Sequence, residues 1–240
     1  MAISIDLTGK VVLVTGGTRG IGAGIAETFR RAGAEVVVCA RNPTPGALQA
    51  DVRDEEQVAE LVAEVLRRAG RLDVLVNNAG GTPVADTASA SIRLHRKVVE
   101  LNLLAPLLLA QHCRAALTDT GGSIINIGSV SGRRPSPGTA AYGAAKAGLD
   151  NLTGTLAQEL APAVRVNEVV VGLVRAGDQQ EHYGSSELDS LVPMGRLAEP
   201  SDVGDACAFL ASPLAGHITG SIVTVDGGGE RSAYLSAVRS

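Results

Sequence analysis

The sequence predicts a doubly wound α/β fold, a Rossmann-type parallel sheet of about seven strands with helices on both faces. Three observations predict it. Short apolar runs alternate with longer stretches of helical period along the chain. Several of those runs are nearly continuous in Val, Ile and Leu, as strands buried on both faces require. Aromatic residues make up only 2% of the 240 residues and Trp is absent, so the core must be aliphatic, which suits such strands.

The elements follow in order. Val11 to Thr15 is a buried strand, and Gly20 to Ala32 is a helix with Ile21, Ile25, Ala26 and Phe29 on one face. Glu35 to Ala40 is the second strand, and Ala47 to Val52 a weak third. Asp54 to Ala69 is amphipathic, with Val58, Leu61, Val62, Val65 and Leu66 inward. Leu72 to Asn77 is the fourth strand, Ile92 to Leu117 one long helix, and Ser123 to Ile127 the fifth strand. Ala140 to Leu160 is helical, Val164 to Val171 is the sixth strand, Ser201 to Leu210 a helix and Ile222 to Val225 the last strand. Only Arg41 to Gly46, with two prolines, separates the second strand from the third. A parallel crossover normally takes ~10–12 residues or more, so the helix expected between those strands is missing. No linker divides the chain, and one domain over 1–240 is expected.

Composition excludes several classes. A net charge of -4 argues against nucleic-acid binding, which needs a basic face. No apolar run reaches the ~18 residues of a membrane span. Residues Met1 to Lys10 lack the basic and apolar regions of a signal peptide, so a cytoplasmic location is expected. Cys39, Cys113 and Cys207 are odd in number and widely spaced, and read as reduced thiols. No His/Cys/Asp cluster has metal-ligand spacing, so no metal is expected.

The first strand runs into Thr15-Gly16-Gly17-Thr18-Arg19-Gly20-Ile21-Gly22, which opens directly into a helix. Glycines there permit a sharp turn, close approach to a pyrophosphate and tight helix–strand packing. The helix N-terminus presents unpaired N–H groups and the positive end of its dipole to the phosphates. Strand before and helix after make this a dinucleotide-binding turn rather than a plain glycine turn.

Tyr142 and Lys146 lie four apart on one helix face. A free tyrosine has a pKa near ~10, too high to give up its proton readily at neutral pH, and an adjacent ammonium lowers it. The phenol can then donate a proton to a carbonyl oxygen or take one from an alcohol. Lys10, Lys97 and Lys146 are the only lysines and there are three tyrosines, so the pairing is unlikely to be chance.

The glycine spacing, Asn77-Asn78-Ala79-Gly80, Asn102, Ser129 and Tyr142-x3-Lys146 come in an order that resembles the short-chain dehydrogenase/reductase family over nearly the whole chain. The resemblance implies hydride transfer between a nicotinamide and a carbonyl or secondary alcohol. It gives Ser129 the role of orienting the substrate oxygen, with Ser131 a weaker rival. It has Lys146 bond the nicotinamide ribose and Asn102 hold a water in a proton relay from Lys146. A buried amide bonded to backbone is the lesser alternative for Asn102. The resemblance also sets Asp51 and Val52 beside the adenine, and Asn78, Ala79 and Gly80 beside its ribose. Asp51 or Asp54 reads as well as a helix cap, and Asn78 as a tie between strands.

Ala40 stands where the family's NAD-using members place an acidic residue. Arg41 follows it and Arg19 lies in the glycine turn, and two guanidiniums without a carboxylate suit a 2′-phosphate. NADP(H) is therefore favoured, with NAD(H) the alternative. Two positions depart from the family after the sixth strand. Val171 replaces a proline and Ala176 a threonine, while Gly172 and Val174 still offer backbone to the nicotinamide end. Glu168 is an oddity, a carboxylate inside a strand that should be buried, with Arg165 or a neighbouring subunit as its candidate partner. Residues 177–194 are the expected substrate lid, and they include His182 and Tyr183. His182 reads as a substrate contact or a surface histidine. Arg133 and Arg134 lie near the site entrance, to attract an acidic substrate or carrier protein, or as solvated charges. A homodimer or homotetramer is implied. A 3-oxoacyl-thioester reductase, a steroid-type hydroxy dehydrogenase and a non-catalytic dinucleotide-binding sensor or scaffold are the rival readings.

Overall fold

A computed structural model describes residues 4–176 and 187–230. A seven-stranded sheet runs through it in the order β3-β2-β1-β4-β5-β6-β7, with every pairing parallel. The strands are β1 (Val11–Thr15), β2 (Glu35–Ala40), β3 (Leu48–Gln49), β4 (Val74–Asn77), β5 (Ser123–Ser129), β6 (Arg165–Val171) and β7 (Ile222–Val225). The helices are α1 (Gly20–Arg31), α2 (Glu55–Ala69), α3 (Ile92–Val99), α4 (Ala105–Thr120), α5 (Ala140–Leu160), α6 (Glu187–Leu191) and α7 (Pro200–Ala211).

The period of two along β1 divides the core between two faces. Val12 and Val14 pack with Ile25, Phe29, Val203 and Cys207, under α1 and α7. Val11 and Leu13 pack with Val58, Leu61, Leu109 and Leu117, under α2 and α4, with Leu156 of α5 in the same cluster. All three cysteines are free and buried. Strand order reverses between β1 and β4, and the crevice beyond their C-terminal ends is where such sheets take ligands.

No helix forms between β2 and β3, and residues 41–46 are exposed, as the short connection requires. Two expectations change. The third strand is only Leu48–Gln49, not Ala47 to Val52. Past Ala50 the chain turns out of the ladder, because the Asp51 carboxylate accepts from the Arg53 N–H at 3.1 Å, and Asp54 then caps α2 by accepting from the Gln57 N–H. The expected single helix from Ile92 to Leu117 is divided, since a π-turn at Glu100–Leu104 separates α3 from α4. Pro106 is the physical reason, having no N–H to give the Asn102 carbonyl four residues back.

Candidate active site

The glycine turn is built by exclusion. A Cβ on Gly22 would lie 2.3 Å from the Gly16 carbonyl oxygen and 2.4 Å from Asn78 Nδ2. One on Gly17 would lie 2.6 Å from Val38 Cγ1, so neither position admits a side chain without movement. Gly16 has φ 64° and donates its N–H to the Cys39 carbonyl at 2.9 Å, which pins the turn to the end of β2. Asn78 Nδ2 donates to the Thr15 and Gly16 carbonyls, at 2.8 and 3.2 Å. Thr15 Oγ1 accepts from the Asn78 and Ala79 N–H groups, both at 3.0 Å. Asn78 thus ties strands together, and that same tie shapes the turn. Arg19 caps α1 in extended backbone without a side-chain hydrogen bond to the helix, so no cap side chain satisfies the first N–H groups of α1. Thr18, Gly20 and Ile21 complete the entry into the helix.

Arg19 and Arg41 are exposed on the two chain segments that the Gly16–Cys39 bond joins. Val52 is buried, and Asp51 is half-buried. Hydrogen bonding from Arg53 holds the Asp51 carboxyl below its ordinary value against the opposing effect of burial, with Arg41 adding a smaller pull. Asp51, which the sequence places beside an adenine, therefore also shapes the start of α2.

Tyr142 and Lys146 both lie on the first two turns of α5. Lys146 is 4% exposed, and its Nζ lies 5.7 Å from the Tyr142 ring centroid and donates to the Ile127 carbonyl at 2.7 Å. Burial lowers the Lys146 pKa to about 8, against an opposing pull from Glu168. Ser129 ends β5, where its Oγ accepts from the Ser131 N–H at 3.2 Å. The short 3-10 turn that follows, Val130–Gly132, is pressed onto α5, since a Cβ on Gly132 would lie 2.8 Å from the Lys146 carbonyl carbon. Ser131 Oγ instead accepts from Ser136 Oγ at 3.2 Å.

Asn102 is 0% exposed. Its Nδ2 donates to the Val98 and Gly81 carbonyls at 2.8 and 3.0 Å, and its Oδ1 accepts from the Gly81 N–H at 2.9 Å. Both ends of the side chain are thus tied to backbone, as the reading of a buried amide expects. Gly80 lies against both this amide and Lys146, since a Cβ there would sit 2.7 Å from Asn102 Oδ1 and 3.6 Å from Lys146 Nζ. Four separated sequence positions, Gly80, Asn102, Tyr142 and Lys146, thus meet at one place.

Gly172 packs on Asp226, where a Cβ would meet Asp226 Cβ at 2.7 Å. Val174 bridges to Ala198 through the Leu173 carbonyl and the Arg175 N–H, leaving its own backbone groups out of that pairing. Ala176 is buried and lies 3.8 Å from where a Gly20 Cβ would be, so its position beside the glycine turn is kept although a hydroxyl is missing. Arg133 Nε donates to Asp150 at 3.1 Å and Arg134 pairs with Glu230, and both arginines line a cavity of about 330 Å³ with Val130, Gly172, Leu173 and Val192. Residues 177–186 of the expected lid, with His182 and Tyr183, lie outside the described residues.

Glu168 does not meet Arg165. Residues three apart on a strand point to opposite faces, and Arg165 donates instead to the Ile218 carbonyl at 3.2 Å. Glu168 is 0% exposed and faces α5, where its Oε2 accepts from Thr153 Oγ1 at 3.1 Å. Asp150 and Thr153 went unremarked in the sequence. The available signal was their helical spacing from Lys146, which sets all three on one side of α5. Among the described residues no His, Cys, Asp and Glu side chains gather as a metal site, and no helix is long and apolar enough to cross a membrane.

Comparison with known proteins gives a consistent picture. Residues 16–230 match a family model described as enoyl-(acyl carrier protein) reductase. A 3-oxoacyl-[acyl-carrier-protein] reductase of Synechocystis is 37% identical over 92% of this chain and 97% of its own length. An L-fucose dehydrogenase of Bos taurus is 37% identical over 96% of this chain and 93% of its own. The ligand-free aldohexose dehydrogenase of Thermoplasma acidophilum superposes with a TM-score of 0.87 at 30% identity, covering 93% of this chain and 95% of that one.

Proposed function

This chain belongs to the short-chain dehydrogenase/reductase family, and we propose that within it the chain is an NADP(H)-dependent reductase or dehydrogenase of a carbonyl or secondary alcohol, with Tyr142 as general acid/base. Oxidoreductase chemistry with a nicotinamide cofactor is the activity of that family. The observation that carries the finer reading is the burial of Lys146 with its ammonium 5.7 Å from the Tyr142 ring centroid, on the helix facing the crevice.

The chain fits a dinucleotide. Gly16, Gly17 and Gly22 let the turn fold tightly against Val38 and Asn78, and the α1 N-terminus that the turn leads into lacks a side-chain cap. Gly16, Thr18, Arg19, Gly20, Ile21 and Gly22 would hold the pyrophosphate. Asp51, Val52, Asn78, Ala79 and Gly80 would border the adenosine, and Gly172 and Val174 the nicotinamide end. When bound, the nicotinamide supplies or accepts the hydride. Arg19 and Arg41, both exposed, would hold a 2′-phosphate, as guanidiniums suit that group. Ser129 holds the substrate oxygen toward the Tyr142 hydroxyl. Tyr142 gives that oxygen a proton in reduction and removes it in oxidation. The Lys146 ammonium favours the phenolate and so lowers the Tyr142 pKa. Asn102 fixes the loop at Gly81 against the Lys146 end of the site, and its main chain positions the relay water. Self-association into dimers or tetramers belongs to the same reading, with Leu104 half-exposed beside α4 as part of an apolar contact.

Purified protein is assayed for NADPH-dependent reduction of two substrate classes, a 3-oxoacyl thioester and an oxidised sugar. One of them should turn over, and Tyr142→Phe should lose about 10²–10⁴-fold in kcat with cofactor binding kept. A Tyr142→Phe variant as active as the parent contradicts the assignment.

A further inference from the structure

The face of the sheet beneath α5 carries a polar row where a core should be apolar. Asn77, Asn126 and Glu168 are register partners across β4, β5 and β6, so their side chains share one face. Asn77 Nδ2 donates to Asn126 Oδ1 at 2.9 Å, Asn126 Nδ2 to Thr153 Oγ1 at 2.9 Å, and Thr153 Oγ1 to Glu168 Oε2 at 3.1 Å. Every donor in this chain points toward Glu168, and such aligned bonds reinforce one another. Room for the carboxyl comes from Gly128, where a Cβ would lie 2.0 Å from Glu168 Oε1.

Two buried oxygens, Glu168 Oε1 and Asp150 Oδ1, have no conventional donor. Glu168 is bonded to Thr153, and Asp150 lies three residues before Thr153 on the same side of α5, so a single proton shared between the two carboxyls would satisfy both oxygens. Asp150 Oδ2 accepts from Arg133 Nε at 3.1 Å. Asp150 lies four residues after Lys146, one turn along α5. The charged and titratable groups around Glu168 are Lys146 and Asp150 from α5, with Arg133 behind Asp150. Its neighbours on β5, Asn126 and Gly128, and its register partner Ile222 on β7 do not titrate.

We propose that Asp150 and Glu168 form a shared-proton carboxyl pair that positions the charge of Lys146. Glu168 releases its proton as the solution turns alkaline, and a counter-charge then forms beside Lys146 when that ammonium would otherwise be lost. Glu168 is a positioning residue, acting through Lys146, and the inference rests on the reading of Lys146 as the group that tunes Tyr142. Burial and the hydrogen-bonded Asp150 carboxyl push Glu168 up to about 8, the same range to which burial lowers Lys146. The two therefore titrate against each other as a coupled pair.

The chain has three lysines, Lys10, Lys97 and Lys146, so 13C-lysine labelling gives a resolvable NMR titration, with Lys146→Met identifying its signal. Glu168→Gln should lower the Lys146 midpoint by about one pH unit, because the counter-charge is gone. Asp150→Asn should raise it, because an amide donor favours the Glu168 carboxylate. A structural role alone does not move the midpoint in opposite directions. Coincident midpoints in the parent and Glu168→Gln overturn the proposal. If Glu168→Gln fails to fold, the Asp150→Asn titration decides, and a midpoint that stays or falls overturns it. The alkaline limb of the pH–rate profile should follow the NMR midpoints. Midpoints that move while the limb stays support the pair and instead sink the reading of Lys146 as the group acting on Tyr142.

Discussion

A carboxyl held protonated inside a strand leaves a thermodynamic signature. Glu168 keeps its proton in the folded chain up to about 8, while an ordinary glutamate gives it up near 4.5. Between those values the folded form binds the extra proton, so stability contributed by this group falls as pH rises. Lys146 acts in the next window. Its pKa is lowered from 10.5 to about 8, so the unfolded chain binds the extra proton there and stability rises with pH. Glu168→Gln removes the first effect. Its Tm relative to the parent should therefore increase steadily from pH 5 to pH 8, as read by thermal melts across that range. A constant difference would mean that Glu168 is ionised in the folded chain like a surface glutamate. Residues of this kind were half-legible in the sequence. Glu168 stood out as a charge in an apolar run, but its partners lie on α5, and only the packing of α5 on β6 brings them together.

At the scale of elements, most of the fold was readable because period and punctuation agree. The strand β2, the helix α5 and the strand β7 begin and end where the apolar pattern does. The failures have local causes. A strand of two residues at the sheet edge carries too little pattern to separate it from the buried Ala50 and Val52 that follow. Apolar period does not register the lost N–H of Pro106, so α3 and α4 read as one helix. The π-turn between them is what delivers Asn102 to Gly81 and Gly80. The closeness of β5 to β6 gives a second test. Gly128→Ala should destabilise by about 1–3 kcal/mol, the usual cost of overpacking. In a Glu168→Ala background the cost should shrink, because the atom 2.0 Å away is gone and only Val170 Cγ2, at 2.9 Å, stays close. Equal costs in denaturant unfolding of both backgrounds would show that Glu168 does not occupy the space beside Gly128.

Across the whole molecule, chemistry and support sit at opposite ends of the strands. At the N-terminal ends of β1 and β4, buried Asp73 accepts from the Val11 N–H at 3.0 Å and from Lys10 and Arg71 at 2.9 and 2.6 Å. Burial raises the Asp73 pKa, but these donors overcome it and hold the carboxyl below its ordinary value. The glycine turn, the end of β2, Ser129 and the α5 face lie at the other end, where strand order reverses. The cofactor end depends on that division, since the Gly16–Cys39 bond joins the segments that carry Arg19 and Arg41. The measurement is a fluorescence titration of the purified protein with NADPH and, separately, NADH, repeated with Arg19→Ala and Arg41→Ala. NADPH should bind more tightly than NADH, and each arginine variant should lose affinity for NADPH and little for NADH. Tighter NADH binding, or no binding of either dinucleotide, would contradict it.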